Sequence, residues 1–101
     1  MFGRKAKILK AVARAQAKIV RDDELADDAP IEALPPELQP TAYFTLAHEL
    51  LDDERFAAAK HAVDRALALS PDEIELHALA AEIHRELGEI ELAIAAQRRV
   101  V

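Results

Sequence analysis

The sequence predicts an all-α protein, and three observations carry that prediction. Helix formers dominate: apolar residues, chiefly Ala and Leu, make up 51% of the chain and charged residues a further 32%. Strand-favouring residues are sparse, with aromatics at 4%, and only two glycines occur, Gly3 and Gly88. Sliding the chain 34 residues against itself aligns related positions: Ala47 with Ala81, Phe56 with Ile90, Ala59 with Ala93 and Ala66 with Val100. Such self-similarity marks stacked helical units. With 101 residues there is room for one domain, and a stacked array with short turns suits so small a chain.

Three segments follow in order. Residues 1–21 read as a basic amphipathic helix, from about Arg4 to Arg21. Ile8, Leu9, Val12, Ile19 and Val20 form its apolar side, while Lys7, Lys10, Arg14, Lys18 and Arg21 share the other. Asp22 and Asp23 follow, and acids are disfavoured at a helix C-terminus, so the helix is expected to end near Arg21.

Residues 22–39 read as an acidic, Pro-rich linker. Pro30, Pro35 and Pro36, with Pro40 just beyond, are more than a helix interior can absorb. Leu25, Ile31, Leu34 and Leu38 would tack the linker onto a surface, with at most a helical turn near Asp23–Ala29. The charge is polarised across these segments. The first carries seven bases and no acid, the second seven acids and no base, within a net charge of −6.

Residues 40–101 hold the repeat. Predicted helices are Thr41–Asp52, Glu54–Leu69, Ile74–Leu87 and Glu89–Val101. In the first unit, residues 40–73, the pattern is Tyr43-x-x-Leu46-Ala47-x-x-Leu50, then Ala59-x-x-x-Val63-x-x-Ala66, then Pro71. Small residues at Ala47, Ala59 and Ala66 let helix axes approach closely, with Tyr43, Leu46, Leu50, Phe56 and Val63 filling the surrounding space. Ser70-Pro71-Asp72-Glu73 has capping-box form, with Ser70 as cap and Pro71 at the first helical position.

These residues resemble the tetratricopeptide repeat family, although Leu50 stands where the family has Tyr. The second unit, residues 74–101, is degenerate: His77 replaces the aromatic, Ala80 the Leu and His84 the Tyr, and Gln97 takes a bulky position. Gly88 falls at the turn, as the family prefers. The architecture implied is two TPR-like helix hairpins, an α-solenoid fragment, preceded by the basic helix and linker.

The resemblance implies a partner-binding concave face on the first helix of each repeat. It would present Thr41, Phe44, His48, Leu51 and Asp52, then Glu75, Ala78, Glu82, Arg85 and Glu86. The plain alternative is a solvated helix face, which Phe44 and Leu51 weigh against. Family members that clamp a terminal carboxylate use Lys, Arg and Asn there. This chain has no Asn and mostly acids at these positions, so a basic amphipathic segment is the better fit. The chain's own residues 4–21 are such a segment. An array of two units is short of the usual ~3, and a homo-oligomer involving the basic helix is one remedy.

The expected function is therefore protein or peptide binding, as an adaptor or assembly module in the cytoplasm. The alternative is a peripheral membrane tether that uses the basic helix at a lipid surface. Nucleic-acid binding is weaker, because the helix lacks stacking aromatics and the rest is acidic. No enzyme is expected: there is no Cys, no Gly-rich phosphate loop, and one Ser, assigned as a cap. Neither cofactor nor metal is assigned, since His77 and His84 occupy packing positions and His61 has no obvious partner. No stretch is long enough to cross a bilayer, and no cleaved leader is expected.

Overall fold

The computed structural model describes residues 3–17, 19, 25–89 and 98, and among these there is no strand. The elements are α1 (Gly3–Gln16), α2 (Ala29–Glu32), a 3-10 turn (Pro36–Leu38), α3 (Gln39–Asp52), α4 (Phe56–Leu69) and α5 (Ile74–Glu86). The three described helices of the repeats match the expected ones to within two residues at each end. The expected helix Glu89–Val101 lies, apart from Glu89 and Arg98, outside the described residues.

The centre of the molecule is the α3–α4 hairpin. Helix α3 buries Ala42, Tyr43, Leu46, Ala47 and Leu50, and α4 buries Ala58, Ala59, Ala62, Val63 and Ala66. Both sets recur at helical spacing, so each helix turns one stripe to the other. Helix α5 adds Leu76, Leu79, Ala80 and Ile83 to the same core. The core therefore depends on many small side chains that let backbones approach, with Tyr43, Leu46, Leu50 and Ile83 as the bulky pieces among them.

Helices α3 and α5 end alike. After α3 the Arg55 N–H donates to the Leu50 carbonyl and the Glu54 N–H to Leu51; after α5 the Glu89 N–H donates to His84 and the Gly88 N–H to Arg85. Both are Schellman closures, which place one residue in the left-handed region. That residue is Gly88 at φ 78° and, 34 positions earlier, Glu54 at φ 61°. A non-glycine there costs about 1–2 kcal/mol. Glu54→Gly should accordingly stabilise the fold by about 0.5–1 kcal/mol. Gly88→Ala should destabilise it for the same conformational reason, because a Cβ there would meet nothing within 4 Å. Urea midpoints of the two variants, moving in opposite directions, would check this; an unmoved or lowered midpoint for Glu54→Gly would count against strain at that turn.

The capping expectation at the α4–α5 connection is corrected. Pro71 and Asp72 form the turn, Glu73 is the residue that caps α5, and no side chain makes a cap hydrogen bond there. His77 Nε2 instead donates to the Pro71 carbonyl at 2.6 Å and ties the first turn of α5 to that loop.

The N-terminal half differs most from expectation. Helix α1 stops at Gln16, not near Arg21, and its buried side is Ala11, Val12 and Ala15. Of the expected stripe only Val12 is fully covered; Ile8 and Ile19 are half-buried, Leu9 is 48% exposed and Val20 lies outside the described residues. Small residues face α3 because α1 lies close alongside it, and bulkier Leu9 is turned outward.

The segment expected as a surface linker enters the core from Ala26 onward. Ile31 is 0% exposed, and Ala26 and Leu38 are buried with it. Its helical turn is Ala29–Glu32, not Asp23–Ala29, of which 23 and 24 lie outside the described residues. The prolines are reconciled by position. Pro30, Pro36 and Pro40 each stand in the first turn of a helical element, where the missing N–H has no intrahelical partner to lose. Backbone and side-chain bonds hold the segment: the Asp27 N–H donates to the Ala15 carbonyl at 3.0 Å, and Gln39 Nε2 donates to the Leu34 carbonyl at 3.0 Å.

Candidate functional site

Helices α3 and α5 both pack on α4 and leave an open cleft between them. Three contiguous depressions make it up. Phe44, His48, Glu75, Ala78, Leu79 and Glu82 line the middle one. Toward the α3 C-terminus it continues over Leu51, Asp52, Glu54, Phe56, Glu82 and Glu86. Toward the other end it opens between Thr41 and Phe44 on α3 and Glu75 and Leu76 on α5. Nine of the ten residues expected on the concave face thus border one continuous cleft. Arg85, exposed on α5, lines none of the three depressions.

The cleft has an apolar floor and an acidic rim. Phe44 and His48, one helical turn apart, meet edge-on with ring centroids 4.7 Å apart. Leu51, Phe56 and Leu79 extend the floor, and Asp52, Glu54, Glu75, Glu82 and Glu86 supply the rim, with no Lys or Arg among the described residues that line these two depressions. Phe56 and Leu79 were read from the sequence only as packing residues and a helix position. The α3–α4 turn puts Phe56 there by bringing the start of α4 beside the end of α3, and Leu79 reaches the cleft from α5.

The basic residues of α1 lie elsewhere. Lys7, Lys10 and Arg14 edge a shallow depression with Ala11, Pro30, Ala33 and Leu34, and no α1 residue lines the acidic cleft. Lys18 and Arg21 are outside the described residues. Gln16 links α1 to α3, its Nε2 donating to Glu49 Oε2 at 2.8 Å.

Two polar clusters were not legible in the sequence. His61, which had no evident partner, bonds Asp28 Oδ2 through Nε2 at 2.8 Å. Arg65, one turn along α4, reaches the same oxygen at 3.4 Å and donates to Glu32 Oε1 at 3.0 Å. The pairs join α2 to α4 across 33 residues, a separation no local pattern reports. Tyr43 is buried beneath this cluster, and burial pushes its hydroxyl above the ordinary tyrosine range, with Arg65 pulling the other way. The hydroxyl feels the Arg65 charge but makes no aligned hydrogen bond. At the other end, Glu89 Oε2 lies 3.3 Å from His84 Nδ1 and 3.5 Å from Lys60 Nζ, bracing the α5 closure against α4. The His84 contact has ion-pair distance without hydrogen-bond alignment. Among the described residues no three His, Asp or Glu side chains converge as metal ligands would.

A helix-pair array with a side-chain-lined cleft between successive first helices is the geometry of a helical repeat, and comparison with known families agrees. The family model described as tetratricopeptide repeat matches residues 40–73 and again residues 74–101. No curated protein and no solved structure matches the chain. Such repeats generally mediate protein–protein interaction. With its two matched units filling more than half of its length, the chain belongs to the tetratricopeptide repeat family.

Proposed function

We propose that the chain is a protein-interaction and assembly module whose cleft between α3 and α5 holds a basic amphipathic segment of its partner. The observation that carries this reading is the pairing of an apolar floor, Phe44, Leu51, Phe56 and Leu79, with a rim of carboxylates. An aliphatic or aromatic anchor seated on that floor supplies affinity, while Lys or Arg beside it match the rim and set approach and register. The same rim repels the acidic tails that a carboxylate clamp would take.

The membrane-tether alternative is less well supported. It needs the apolar side of α1 free to enter lipid, and Ala11, Val12 and Ala15 are buried against the rest of the protein. Among the described residues no helix is long and apolar enough to cross a membrane.

A labelled synthetic Lys/Leu amphipathic helix is a suitable probe, followed by fluorescence anisotropy. Binding should weaken as salt rises from about 50 to 300 mM, since the rim is exposed to screening. Glu82 borders two of the depressions, and Glu82→Lys should lose about tenfold in affinity, near 1.4 kcal/mol. A Glu/Leu helix of equal length that bound as well would refute the reading.

A further inference from the structure

We infer that the protein assembles head to tail, the basic ridge of α1 in one copy seated in the acidic cleft of the next. The inference rests on the cleft being a receptor for a basic segment, and it names the occupant.

The first reason is uncompensated charge on both surfaces. Among the described residues no ion pair engages Lys7, Lys10 or Arg14, nor Asp52, Glu75, Glu82 or Glu86. Carboxylates and bases of similar number thus stand on one small molecule without meeting. The second reason is that they are prevented from meeting within a chain. Helix α1 is held on α3 by Ala11, Val12 and Ala15, by the Gln16–Glu49 bond and by the Asp27–Ala15 backbone bond. Its ridge borders Pro30, Ala33 and Leu34, away from the α3–α5 cleft.

The third reason is register. Lys10 and Arg14 are four residues apart and Lys7 and Arg14 seven, and on α5 Glu82 and Glu86 are four apart and Glu75 and Glu82 seven. At about 1.5 Å per residue the spacings of ~6 and ~10 Å occur on both helices, so Lys10 and Arg14 match Glu82 and Glu86, or Lys7 and Arg14 match Glu75 and Glu82, two pairs at a time. The ridge also carries apolar surface at Ala33 and Leu34 to meet the floor of Phe44 and Leu51. Because the two patches are different surfaces, each copy that docks leaves one ridge and one cleft open. The contact is heterologous, and growth continues past the dimer until a ring closes or as an open chain.

Light scattering on the full chain tests this. At about 50 mM salt the mass should rise with concentration past twice the 11.1 kDa monomer, and at about 500 mM it should fall to the monomer. Lys10→Glu with Arg14→Glu should abolish assembly, and so should Glu82→Lys with Glu86→Lys. Each variant should keep the helical circular dichroism of the parent, because all four side chains are exposed. Mixing the two variants should restore assembly, since every ridge then finds a cleft of opposite sign. A parent mass that stops at a dimer overturns head-to-tail growth, and folded variants that fail to reassemble on mixing overturn the pairing of these surfaces. A monomer at every salt concentration overturns self-assembly altogether; if the Lys/Leu helix still bound, the cleft reading would stand without it.

Discussion

Ile31→Ala should lower the thermal midpoint by about 10 °C or more, equivalent to about 2–4 kcal/mol in a domain of this size. Ile31 is among the largest fully buried side chains and sits on the short α2 turn, where it joins the core cluster with Ala26, Ala11 and Val12. Truncation removes three carbons from a site walled by α1 and α3. Those helices are held in place by their own contacts and cannot collapse far into the gap, so cavity cost adds to lost transfer energy. The ion pairs from Asp28 and Glu32 to His61 and Arg65 would keep α2 in position but stay open to solvent, their side chains 18–54% exposed, and solvent-accessible pairs contribute about 0–1 kcal/mol each. Leu25→Ala is the control on the same segment: at 52% exposed it should cost less than about 1 kcal/mol. Chemical denaturation of both variants decides the matter. Equal, small losses would mean that residues 25–38 behave as the linker their prolines suggest.

The contrast between those two residues shows what was legible beforehand. The repeats could be read because their signal is periodic and local. Tyr43, Leu46, Ala47, Ala59, Val63 and Ala66 fall on stripes that 3.6-residue periodicity exposes, and all are buried. The concave face followed from the same register, so nine of its ten residues border the cleft. Three prolines, a fourth just beyond, and a run of acids hid the fold of residues 25–38, since composition cannot say whether a proline opens an element or breaks one. Ile31 carries no periodic company, and its burial depends on α1 and α3 arriving from either side. Asp28 and His61, 33 residues apart, are paired by that same arrival. Helix α1 misled in a different way. Its bulkiest residues suggested the buried face, but close approach to α3 selected Ala11 and Ala15 beside Val12, leaving Leu9 half in solvent. Side-chain size predicts burial only when the distance between helices is known, and that distance is a tertiary property.

The same dependence on close approach underlies the second large effect. Ala59→Leu should destabilise the protein by about 1–3 kcal/mol, or more if the hairpin cannot separate. Ala59 is 0% exposed on α4 and packs in the cluster that contains Ala47, Leu46 and Tyr43 of α3. The α3–α4 hairpin is closed at one end by the Leu50–Arg55 backbone bond at 2.8 Å, only four residues before Ala59. Little freedom remains there for the axes to move apart, so three added carbons must be accommodated by off-rotamer side chains or by breaking that closure. Ala57→Leu, two residues away on the exposed side of α4, adds the same atoms with nearly the same helix propensity and should change stability by less than about 0.5 kcal/mol. Because the cleft floor includes Phe56 at the start of α4, prying the hairpin open should also weaken the Lys/Leu probe. Probe affinity lost in Ala59→Leu and retained in Ala57→Leu would tie the cleft's shape to the small residue at the helix contact; a destabilised Ala59→Leu with unchanged affinity would show that the cleft is set by α3 and α5 alone.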